Sequence, residues 1–496
     1  MKTIYFDNAA TSWPKPDIVY EAMNYFMQEV GANPGRSGHS KSVEAARIVH
    51  QTRENIAQLF NVQDTSPLGL PRLRGRSLSA EGGSASGMTS GTDNVIFTSN
   101  ATHSLNIIFK GILHSGDNVV TTSMEHNSVM RPLRYLEQNT GISITVVPCL
   151  ADGTLPLELL EEQIEKDTKL IVVNHASNVV GTILPIGEIG KISRKHGVLF
   201  LVDAAQTAGI IPLDMVNDNI DLLVFTGHKG LMGPQGIGGL CIRNDVDMTP
   251  LMQGGTGSNS EYEIQPEVLP DKYESGTLNT VGIAGLGAGV KFIQETGIVN
   301  IHKYEKALTK QLIEGLSTIA GIKLYGLSNA EKQIPVVSFN IEGYKPSDIG
   351  YKLDKEFGIM ARAGLHCAPM AHKTIGTFPE GTVRLSLNYF NKSEEIDYTV
   401  QCLRKIAASC YEKNRGSETL CIVTFYSTHH VLEAEKAIKN KGLEVKLIPT
   451  PREFSSNCGI AMSLLWENKE VAVEILTNKG IPIEKIHKKN ETTNKH

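Results

Sequence analysis

The sequence predicts an α/β protein: a mostly parallel central sheet, then a smaller α+β domain, then a C-terminal α+β module. Three observations carry that prediction. Between residues 15 and 300, segments of helical period alternate with short runs that are apolar on both faces. A parallel sheet covered by helices on each side reads that way. From residue 291 the alternation gives way to a helix, KALTKQLIEGLSTIA, and to strands near IPVVSFNI and GTVRLSLN. After EKNRGSE (412–418), the order strand, helix, strand, strand, helix, strand suggests a ferredoxin-like module.

The elements follow in order. The first domain, 1–290, takes its strands from NVIFTS (94–99), NVVTTS (118–123), LIVVNHA (170–176), VLFLVDAA (198–205) and LLVFTG (222–227). Its N-terminal segment is expected to pack with the small domain. Residues 64–92 break the pattern. They are rich in Gly, Ser and Pro, have no apolar period, and read as a flexible surface insertion. The small α+β domain is 291–410. The C-terminal module is 416–490, with Ser427 or Thr428 as the N-cap of its first helix and Gly442 just past that helix's end. The polar tail 491–496 reads as disordered.

Composition narrows the function. The 496 residues are 41% hydrophobic and 20% charged, with a net charge of −5 and no large basic block. This gives no support to a nucleic-acid or membrane-surface role. No apolar run approaches the ~20 residues that span a bilayer. The N-terminus, MKTIYFDNAATSW, lacks the apolar stretch of a signal peptide, so a cytoplasmic protein is expected. The seven cysteines are scattered and form no CxxC pair. That argues against a disulfide framework and a thiolate metal site, and no metal is expected.

In open α/β sheets, ligands bind beyond the carboxyl ends of the strands. The polar residues there are therefore the candidates. They are Thr102 and His103 after the first run, Glu125 and His126 after the second, and Asn178 after the third. Asp203 and Gln206 follow the fourth, and His228 and Lys229 the fifth. These types fit pyridoxal phosphate. Lys229 suits the Schiff-base amine, and Asp203 suits the carboxylate that keeps the pyridine nitrogen protonated. His126 offers a ring to stack on the cofactor. Ala101, Thr102 and His103 open a helix whose N-terminus favours a phosphate, and Thr226 and His228 add donors beside the lysine.

DAAQTAG (203–209) followed by FTGHKGLMGPQGIGG (225–239) resembles the cofactor site of the class-V aminotransferases, pyridoxal phosphate enzymes of fold type I. MEHNS (124–128), SNVVGT (177–182), YESGTLNT (273–280) and RAGLHCAP (362–369) narrow the resemblance to the cysteine desulfurase and selenocysteine lyase branch. The resemblance covers residues 1–408. It implies that Lys229 is the Schiff-base lysine, with Asp203 on the pyridinium nitrogen, Gln206 on the ring hydroxyl and His126 stacked on the ring. Thr102, Thr226 and His228 would hold the phosphate. Thr277 would reach it from the other subunit, which implies a homodimer. Asn178 and Arg384 would grip the substrate carboxylate. Arg362 would lie near Cys367, the family's catalytic cysteine. The insertion and the tail after residue 415 have no counterpart in the family pattern.

The implied reaction turns L-cysteine into L-alanine. Cys367 attacks the substrate sulfur and keeps it as a persulfide. A thiolate is required, and Arg362 would favour it; His366 would help if it were charged and faced the sulfur. The short-loop form of RAGLHCAP is also found in selenocysteine lyases, so L-selenocysteine is the alternative substrate. Such enzymes often pass sulfur to an acceptor protein. The tail, STHHVLEAEKA then PTPREFSSNCGIAM, resembles a small domain proposed as a sulfur or selenium carrier. Its Cys458, after Arg452, is the candidate acceptor by thiol exchange. A transaminase, or an inactive carrier or scaffold protein, is the rival reading. Cys367 argues against the first, and Lys229, Asp203 and Arg384 against the second.

Overall fold

The computed structural model describes residues 3–35, 38–63, 91–258, 261, 263–409, 419–451, 454 and 459–490. The 64–92 insertion, except for its last two residues, lies outside them, as do Arg452, Cys458 and the tail 491–496.

A seven-stranded sheet organises the large domain. Its spatial order is Val95–Thr98, Gly238–Ile242, Leu222–Thr226, Leu199–Asp203, Thr168–Asn174, Asn118–Thr122, Ser143–Val147. Gly238–Ile242 pairs antiparallel with both neighbours, and the other pairings are parallel. Six strands therefore point the same way, and their carboxyl ends share one edge. The central strands are apolar on both faces because each face has its own core. In Thr168–Asn174, Ile171 and Val173 join Phe200, Val202 and Phe225 on one side. Leu170 and Val172 join Leu201, Leu222 and Val224 on the other. Each such buried side chain contributes about 1.5–3 kcal/mol of transfer free energy.

The small domain carries a four-stranded antiparallel sheet in the order Arg362–Gly364, Thr382–Ser386, Val336–Ile341, Ile322–Tyr325. The N-terminal segment is joined to this region. Ile4–Tyr5 pairs in parallel with Ile359–Met360, and Asp7 bridges to Ser386. That places residues 7–12 between the two sheets.

The C-terminal module has strand order Lys446–Pro449, Ile460–Leu465, Thr419–Thr424, Lys485–Asn490, all antiparallel. With helices Thr428–Lys439 and Lys469–Asn478 between strands, this is the ferredoxin-like arrangement. Ser427 is the N-cap, accepting from His430 N–H. Lys446 Nζ lies 5.4 Å from the Tyr351 ring on the small domain's helix Pro346–Phe357.

Candidate active site

The shared edge of the large sheet carries the expected residues on short turns. Two of these turns touch because glycines allow it. A Cβ on Gly230 would lie 2.5 Å from Ala208 O, and one on Gly209 2.5 Å from Gly230 O. The turn bearing Lys229 thus packs on the turn that follows Asp203. A Cβ on Gly238 would lie 2.8 Å from Asn100 Cα. Its absence lets the start of helix Ala101–Ile112 approach the same edge, where Asn100 Oδ1 caps the helix by accepting from His103 N–H at 3.0 Å.

Lys229 is half-buried, and burial lowers its amine to about 8. The Asp203 carboxylate opposes that shift, whereas the Arg384 and Arg362 charges add to it. Asp203 is buried, which raises its carboxyl, while Ala205 N–H donates to Oδ1 at 2.9 Å and Lys229 pulls the other way. His126 caps helix Asn127–Asn139, its Nδ1 accepting from Ser128 N–H at 3.0 Å. Burial, then Lys229 and Arg362, push it down to about 3, so its ring is neutral. His228 is lowered to about 4, first by burial. Gln206 Nε2 donates to Ala9 O at 3.1 Å. Thr102 is exposed at the helix start, and Thr277 is exposed on its loop.

The small domain supplies the rest. Arg384 is 1% exposed. It donates to Asn178 O at 3.0 Å and to Asp7 Oδ1 at 2.7 Å. Arg362 donates toward Cys367 Sγ at 3.6 Å. Cys149, Cys241, Cys402 and Cys421 are buried, and burial raises all four thiols. Among the described cysteines, Cys367 alone is partly exposed. Together with Thr102 and His126 it lines a groove of about 460 Å³ that runs toward Arg131 and Tyr135.

His366 does not meet the condition under which it would help the thiol. Its ring is buried, with Nε2 3.1 Å from both Thr382 O and Thr382 Oγ1. Burial, with Arg384 next, holds it well below the usual imidazole range. It is neutral and tied to the strand, so it adds no charge at the sulfur. The Asp7 partner of Arg384 was missed. It follows the short strand Ile4–Tyr5 in YFDNAA, where the strand-end rule applies as well.

A cofactor fits these residues. Thr226 Oγ1, His228 Nδ1, Arg384 Nε and Asn178 Oδ1 are buried without a protein partner. Buried polar atoms are normally satisfied, so unsatisfied ones around a single lysine mark a polar ligand. Sheet order and site together define a pyridoxal phosphate enzyme of fold type I. The "Aminotransferase class-V" model matches residues 4–68 and 88–399, and "Putative Se/S carrier protein-like" matches 420–488. A "Probable cysteine desulfurase" of Methanothermobacter thermautotrophicus is 34% identical over 410 residues, 82% of this chain and 94% of the relative. Another, of Pyrococcus abyssi, is 36% identical over 418 residues, 82% of this chain and 95% of that one. The apo structure of a cysteine desulfurase from Thermococcus onnurineus has a TM-score of 0.72 at 33% identity, covering 82% of this chain and 95% of its own. The chain belongs to the cysteine desulfurase family of class-V aminotransferases.

Proposed function

We propose that the chain converts L-cysteine to L-alanine and retains the sulfur as a persulfide on Cys367. The supporting observation is that Arg362 reaches Cys367 Sγ at 3.6 Å and stands opposite Arg384, and that Arg384, Arg362 and Cys367 all bear electrostatically on Lys229. Pyridoxal phosphate would be held by Lys229, Asp203, His126, Thr102, Thr226 and His228, and it supplies an electron sink for the substrate α-carbon. Arg384 binds the substrate carboxylate. Lys229 takes the α-proton. The Cys367 thiolate forms an S–S bond with the substrate sulfur as the bond from that sulfur to Cβ breaks. The carbon skeleton leaves as alanine after protonation at Cβ.

The chain acts as a homodimer in this reading, with the exposed Thr277 serving the partner's site. The groove beside Cys367 admits an acceptor thiol. Cys458 lies outside the described residues, and its role as acceptor is argued from the carrier-like match alone. Mass spectrometry after a cysteine pulse tests both steps. The persulfide is expected on Cys367 first and on Cys458 later; label absent from Cys367 rejects the mechanism. The selenium in the carrier model's description keeps selenocysteine as a second substrate. Comparing alanine release from the two amino acids decides between them.

A further inference from the structure

His366 and Cys367 both adopt the left-handed backbone region, at φ +49° and +58°. Two consecutive side-chain-bearing residues hold that conformation only when their surroundings impose it. Three contacts do so. The His366 ring is fixed on Thr382. Cys367 O accepts from Asn127 N–H at 2.9 Å. His366 O accepts from Asn178 Nδ2 at 2.7 Å. Asn178 is itself buried, and its backbone carbonyl accepts from Arg384. One residue therefore touches both the guanidinium that would hold the substrate carboxylate and the turn that carries the thiol.

We propose that Asn178 is a positioning residue for Cys367: its side-chain amide tethers the His366 carbonyl and holds the left-handed turn that presents the thiol to the site. The family pattern implies only a grip on substrate. The amide has two N–H groups, and the structure commits one to the turn. Loss of the tether lets the turn relax to ordinary backbone angles, and Sγ moves away from the substrate sulfur. Misplacement on the ångström scale costs a displacement reaction heavily. The proposal rests on the reading of Cys367 as the nucleophile.

The test uses the holoenzyme with Asn178→Ala. Cys367 alkylation by iodoacetamide without substrate is followed by mass spectrometry. The spectral titration with L-alanine, which carries no thiol, reports carboxylate binding. The alkylation rate is expected to change by about fivefold or more and kcat for alanine release to fall about tenfold. A weaker affinity for L-alanine measures the loss of the substrate grip and is read apart from the alkylation rate. Cys149 and Cys241 should stay unmodified, which separates a relaxed turn from a loosened domain. If Asn178→Ala does not fold, Thr382→Val, which removes one contact of the His366 ring, should show the same change in alkylation rate. An alkylation rate close to wild type in the folded variant overturns the proposal, whatever the L-alanine titration gives. Alkylation needs no turnover, so this outcome is independent of whether Cys367→Ser abolishes activity.

Discussion

Arg362 and Arg384 stand directly opposite each other on the neighbouring antiparallel strands Arg362–Gly364 and Thr382–Ser386. Like charges in that register repel. One carboxylate, Asp7, is paired with Arg384, and no carboxylate is paired with Arg362 among the described residues. The excess positive charge faces Lys229, where an anionic substrate and a thiolate would offset it.

The two arginines should separate kinetically. Arg384→Lys loses the planar fork that reaches Asn178 O and Asp7 together. KM for cysteine is expected to rise about a hundredfold, with kcat changed far less. Arg362→Gln removes the charge beside Sγ. It should instead lower kcat and the rate of Cys367 alkylation by about tenfold, with KM nearly unchanged. Steady-state kinetics of both variants would show the split, and parallel losses in both parameters would contradict it.

Cys367→Ser is expected to reduce alanine release from cysteine by about a hundredfold or more while leaving the cofactor bound. Cys149→Ala and Cys421→Ala should keep near wild-type turnover, because burial raises both thiols to about 11 and keeps them from serving as nucleophiles. Turnover retained in Cys367→Ser would transfer the chemistry to another group.

Burial sets the Lys229 amine at about 8. Capture of an aldehyde needs the neutral amine, and its fraction rises about fivefold between pH 7 and 8 for such a group. The rate of cofactor uptake by apoprotein should climb over that interval and level off above it. Stopped-flow absorbance would record this. A rate still rising steeply beyond pH 9 would mean an ordinary lysine.

The large sheet is legible in the sequence because its central strands face two cores, and a short run apolar on both faces fits few places in a fold besides a covered sheet. The residues after those runs are legible for the same reason, since strand ends locate ligands. What periodicity does not supply is contact across sequence distance. Asp7 meets Arg384 across the gap between the N-terminus and the small domain, and Asn178 reaches the His366 carbonyl through a turn whose backbone angles no residue type announces. The surroundings of His366 are illegible for a related reason. Its place beside Cys367 in the chain does not say which way its ring points, and the left-handed turn sends that ring to Thr382.

Glu125 ties the site to pH-dependent stability. It is 1% exposed beside Asp203, and burial raises its carboxyl to about 8. Thr122 Oγ1 and Asn174 N–H both donate to Oε1, whereas Oε2 has no partner. The folded chain therefore keeps this proton up to about pH 8, and the unfolded chain releases it near the ordinary carboxyl value of 4.5. Between those values the unfolded state binds fewer protons, so stability falls as pH rises. Glutamine has the same shape, keeps the Oε1 contacts and cannot ionise. Glu125→Gln should match the wild type near pH 5 and gain on it by roughly 2 kcal/mol or more at pH 8, read from urea midpoints at the two pH values. Glu305, also buried and raised to about 8, adds a parallel trend that Glu305→Gln would remove separately. An offset between wild type and Glu125→Gln that is equal at both pH values would mean that the carboxyl is already ionised in the folded chain at pH 5.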